Sequence, residues 1–82
     1  MVPDMRTYED TLALVIATIA PHVPGKTVGA HDHIQHDLGL DSLATMEVIA
    51  DLEEALAMTI PNEVVARVAT PDDVARALIK LG

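Results

Sequence analysis

The sequence predicts an all-α fold, a small four-helix bundle made of three main helices and one short one. Three observations lead there. Apolar residues recur at helical spacing in separate stretches. Capping residues and prolines punctuate the ends of those stretches. Half of the residues are hydrophobic but only Tyr8 is aromatic, so the core must come from Leu, Ile, Val, Met and Ala, which suit helices. At 82 residues, positions 1–82 form one domain with a modest core and a narrow margin of stability.

The first helix is marked by Leu12, Val15, Ile16 and Ile19, which follow the spacing of one buried face. Thr7, with Asp10 three residues later, resembles a capping box, and Pro21 and Pro24-Gly25 stop the helix. A long loop with little periodicity then runs to Asp41, with Ile34 and Leu38 as its expected anchors to the core. The second helix is predicted from about Ser42 to Ala57, with Asp41 as N-cap and Met46, Ile49, Leu52 and Leu56 as its apolar stripe. After Ile60-Pro61, Asn62 is expected to cap a short helix reaching about Val68. Thr70-Pro71-Asp72-Asp73 opens the last helix, Thr70 capping and Asp73 closing the box, with Val74, Leu78 and Leu81 buried.

The net charge of −8 is concentrated in one place. Residues 31–61 hold Asp32, Asp37, Asp41, Glu47, Asp51, Glu53 and Glu54 without a Lys or Arg, whereas residues 62–82 are balanced. Nucleic acid is therefore not expected as a partner, since phosphates need basic patches, and a basic protein surface is the natural complement. The apolar run Leu12 to Ala20 is too short to span a membrane, and Asp4, Arg6, Glu9 and Asp10 before it are net negative, which argues against export. With no cysteine, disulfides and any thiol nucleophile of the chain itself are excluded. These features fit a cytoplasmic monomer that does not engage membranes.

Asp37-Leu38-Gly39-Leu40-Asp41-Ser42-Leu43 is the most specific stretch. A Gly-containing loop delivers a serine to the start of a helix, where backbone N–H groups and the helix dipole favour a phosphate on Oγ. Ser and Asp are equally at home in such places simply as helix-start residues. With the following Ala-Thr-Met-Glu-Val-Ile-Ala-Asp-Leu-Glu-Glu-Ala-Leu, however, the motif closely resembles the acyl carrier proteins, and the resemblance runs through essentially the whole chain. It implies a non-enzymatic carrier with 4'-phosphopantetheine on Ser42, next to Asp41, holding acyl groups as thioesters for fatty-acid or polyketide-type synthesis. It also implies a phosphopantetheinyl transferase and acyl-loading and acyl-processing enzymes with basic docking surfaces as partners. Those would approach Asp37, Leu43, Glu47, Glu53 and Glu54. Val64, Val65, Asp51 and three histidines depart from the fatty-acid members and leave the pathway open.

Other chemistries find less support. His31, His33 and His36 stand near Asp32 and Asp37, but spacing in a loop is weak evidence and no metal is expected. Ser42, His36 and an Asp supply the residue types of a hydrolytic triad without a Gly-x-Ser-x-Gly elbow, and a small bundle is expected to offer little pocket for an oxyanion hole. Acids at alternating positions before a Gly, as calcium loops require, are absent. Two alternatives stay open: an aminoacyl or peptidyl carrier, disfavoured by Leu40 before Asp41-Ser42, and an unmodified acidic helical adaptor.

Overall fold

A computed structural model describes residues 7–81; Asp4 and Arg6, invoked above against export, lie outside them. Among the described residues the elements are α1 (Tyr8–Ile19), a 3-10 turn (Ala20–His22), α2 (Ser42–Leu56), α3 (Asn62–Val65) and α4 (Pro71–Leu81). None of these helices is long and apolar enough to cross a membrane.

Thr7 starts α1 as expected, its Oγ1 accepting the Asp10 amide at 3.2 Å. The inward face centres on Thr11, Val15 and Ile19, while Leu12 and Ile16 are half-buried. Thr11 can occupy the core because its hydroxyl donates to the Thr7 carbonyl at 2.9 Å. Val15, Ile19, Leu52 and Leu78 lie at the centre of the core, none more than 1% exposed, joining α1, α2 and α4. At α4, Thr70 Oγ1 accepts from the Asp73 amide at 3.1 Å, and Asp73 Oδ2 accepts from Thr70 and Ala69 at 3.2 and 3.0 Å. The capping box read from the sequence is thus formed in both directions.

Three expectations are corrected. Met46 is 52% exposed, because the inward face of α2 is carried by Val48, Ile49 and Leu52. Leu81 is 38% exposed, at the end of α4, where Val74, Ala75 and Leu78 make the core contact. Asn62 lies inside α3, Pro61 holds the cap position, and α3 ends at Val65 rather than Val68. Pro61 has the extended backbone of a cap, and the chain needs only one turn to pass from α2 to α4.

The long loop is ordered by burial and by hydrogen bonds to the α3–α4 connection. Val28, Ile34, Leu38 and Leu40 are buried. The Ile34 amide donates to Ala69 O at 2.8 Å, and the Asp72 amide donates to Ala30 O at 2.9 Å. A second tie joins the starts of α1 and α4. Asp72, only 8% exposed, accepts from the Tyr8 hydroxyl and from Arg76 Nε at 3.0 and 3.1 Å. The Arg76 guanidinium lies 5.8 Å from the Tyr8 ring centre. The Tyr8 hydrogen bond, followed by Arg76, holds the Asp72 carboxyl below the usual carboxylate range. The same hydrogen bond to Asp72, with burial, raises the Tyr8 hydroxyl above its own.

Candidate functional site

The site is assembled where the loop turns into α2. Gly39 adopts φ +76°, a conformation costly for other residues, and Leu40 then returns to the core with its amide on Ile34 O at 3.1 Å. Asp41 follows with extended backbone, and its carboxylate accepts the Ala44 amide at 2.8 Å. That cap sets the helix start, so Ser42 is its first residue and is exposed. Asp41 is thereby a local structural group as well as a neighbour of the serine.

The other residues singled out from the motif separate into free and occupied groups. Leu43 is 70% exposed, and Glu47 and Glu54 are exposed on α2. Asp37 is exposed but accepts the His33 amide at 2.7 Å. Glu53 is half-buried, and its Oε2 accepts the Ile60 amide at 2.7 Å, tying the end of α2 to the chain leaving it. That structural bond leaves Glu53 less available to a partner than Glu47 or Glu54.

Beside Ser42 opens a groove of about 440 Å³, larger than a bundle of this size was expected to offer. Ile49, Val65, Val68 and Val74 give it apolar walls; Ser42, His33, Gln35 and Arg67 bring polar groups to it. Among the described residues no three His, Asp or Glu side chains converge on one point. His33 instead organises its own turn, with Nδ1 accepting the amides of Gln35 and His36 at 3.2 and 3.1 Å. Sequence reasoning missed Arg67 and Gln35 as neighbours of the serine. The one available sign was that Arg67 is the first Lys or Arg after Lys26.

An exposed serine at a capped helix start, opening onto a groove with apolar walls, suits a covalently tethered group. The model of the phosphopantetheine attachment site family matches residues 10–78. The chain belongs to the acyl carrier protein family. A Caulobacter vibrioides protein named as a probable acyl carrier protein is 36% identical over 76 residues, covering 90% of this chain and 88% of its own. An acyl carrier protein of Streptomyces coelicolor is 31% identical over 75 residues, covering 92% and 82%. That of Prochlorococcus marinus is 41% identical over 69 residues, covering 82% and 86%. A solved Mycobacterium tuberculosis structure, described as a candidate acyl carrier protein, superposes with a TM-score of 0.79 over 88% of this chain and 99% of its own. At 23% identity that last likeness speaks for the helical fold. This acyl carrier protein therefore bears phosphopantetheine and is a carrier rather than an enzyme, serving a transferase and biosynthetic enzymes.

Proposed function

We propose that Ser42 bears the arm, and that the chain moves acyl groups between the enzymes of a fatty-acid or polyketide-type assembly. When bound, the arm supplies a terminal thiol that holds the acyl group as a thioester. The missing cysteine fits this reading, since the reactive sulfur need not come from the chain. The observation that carries it is the position of Ser42: exposed, first in α2, and opening onto the groove.

The chain's own residues prepare the place. Asp41 fixes the helix start, so Ser42 is held in the first turn, and the positive end of the helix dipole favours an anion on its hydroxyl. Ile49, Val65 and Val68 offer the arm an apolar bed, while Leu43, Glu47 and Glu54 are left outside for a partner. We read residues 1–82 as one carrier domain acting as a cytoplasmic monomer. Leu40 ahead of Asp41-Ser42 favours acyl over aminoacyl or peptidyl cargo. Incubation with coenzyme A and a phosphopantetheinyl transferase should add the mass of the arm to the wild type and nothing to Ser42→Ala. Modification of Ser42→Ala would overturn the assignment, and an unmodified wild type would favour an adaptor that docks through α2.

A further inference from the structure

The groove beside Ser42 brings together two hydrogen-bond donors that the motif does not include. His33 Nδ1 is occupied as an acceptor for two backbone amides, which places the proton of the neutral ring on Nε2. His33 lines the groove, and with Nδ1 taken this Nε2–H is the ring's remaining polar atom. Arg67 lines the same groove, from the segment following α3, and it is the only Lys or Arg to do so. Its charge is unspent: Arg76 is committed to Asp72, whereas among the described residues Arg67 forms no ion pair. The isolation of this cation is informative in a chain whose residues 31–61 contain no Lys or Arg. An anion on Ser42 would stand among many acids, and Arg67 brings the one Lys or Arg charge to the groove it opens onto.

We propose that Arg67 and His33 are positioning residues, holding the phosphodiester of the arm beside Ser42 and laying the arm along the groove. The inference rests on Ser42 as the attachment point. A phosphodiester keeps one negative charge at all ordinary pH, and a guanidinium and an imidazole N–H are suited to its oxygens. Past that anchor, the apolar walls at Val65 and Val68 face the less polar length of the arm. The thiol is then partly withheld from solution until a partner engages. A carrier gains from this, because an arm at rest on its own surface is less exposed to adventitious reaction.

The test uses the arm-bearing full chain, with intact mass first establishing one arm and its loss in Ser42→Ala. Absence of the arm at Ser42 overturns both readings at once. With the arm in place, the thiol is titrated with an uncharged disulfide reagent, and the limiting rate at high pH is compared so that altered ionisation is not mistaken for release. Arg67→Gln should raise that rate roughly twofold to fivefold, the scale of a partly exposed ion pair, and should shift the phosphorus resonance of the phosphodiester. Arg67→Lys should recover part of the effect. Lys80→Gln, the same change of charge on α4 away from the groove, should leave both readouts as in wild type. Added salt should speed the wild-type reaction and leave Arg67→Gln nearly unaffected. Equal rates and equal phosphorus shifts for wild type and Arg67→Gln would overturn the proposal. So would an Arg67→Gln effect confined to the transferase reaction, which would make Arg67 a contact for partners.

Discussion

Met46 and Ile49 are three residues apart on α2 and were expected on one buried stripe, yet Met46 is 52% exposed and Ile49 only 6%. The pair makes a sharp comparison. Ile49→Ala should cost about 2–5 kcal/mol by leaving a cavity in the core, and Met46→Ala under about 1 kcal/mol, both read by chemical denaturation. Similar costs would mean that α2 is rotated from the phase described. Asp72 is the second residue whose role depends on its surroundings. Its carboxyl is held below the usual range by Tyr8 and Arg76, so it ionises more readily folded than unfolded. Stability from such a group is present above the unfolded value of about 3.9 and is lost as pH falls through the folded one. The wild type should therefore melt earlier as pH drops from about 5 towards 3, and Asp72→Asn should start lower at neutral pH and fall less. Parallel melting curves for the two proteins would dissociate Asp72 from acid stability.

At the scale of elements, the ends are better specified than the faces. Asp41, Thr7 and the Thr70–Asp73 pair all cap as their positions suggested, because a cap needs only a side chain two or three residues from an amide. The far end of α2 is less conventional. Ala57 closes it at φ +52°, with its amide on Glu54 O at 3.3 Å and the Met58 amide on Glu53 O at 3.1 Å. This is the Schellman arrangement, and it normally employs glycine, which pays no penalty for a positive φ. Ala57→Gly should therefore stabilise the protein by about 0.5–1 kcal/mol, since relief of the left-handed strain exceeds the entropy added to the unfolded chain. A lower denaturation midpoint in Ala57→Gly would show that the Ala methyl makes a compensating contact.

The whole molecule is electrically lopsided, and its function is best tested there. Glu47, one turn from Leu43, and Glu54, further along α2, face solvent, while Arg67, Arg76 and Lys80 all come from the last third of the chain. Exposed charges of this kind steer encounter more than they hold a complex, and their effect falls as salt rises. Glu47→Lys should slow arm transfer at low ionic strength and approach wild type at high salt. Glu9→Lys, an equal change of charge on α1, should have little effect at either. Asp72 is unsuited to that comparison, because it is buried in a hydrogen-bonded triad with Tyr8 and Arg76. Equal slowing by Glu47→Lys and Glu9→Lys would leave α2 a solvated face without a docking role.

The three main helices, their N-caps and the serine at the start of α2 were legible in the sequence, because each depends on residues within one turn of one another, whereas the cap and the end of the short α3 were not. Asp41 and Ser42 announce their helix start whatever packs around them. The sharing of space between distant segments was not legible. The groove forms because the loop at His33 and Gln35, the first turns of α2 and the stretch after α3 meet at Ser42, and no local pattern encodes that meeting. The burial of Asp72 likewise requires Tyr8, 64 positions away, to supply its hydroxyl. Local hydrogen bonding and helical period belong to neighbours in the chain, so the sequence determines them. Which side chains share a cavity, and which charges remain unspent, is decided only when the helices pack and exclude water between them.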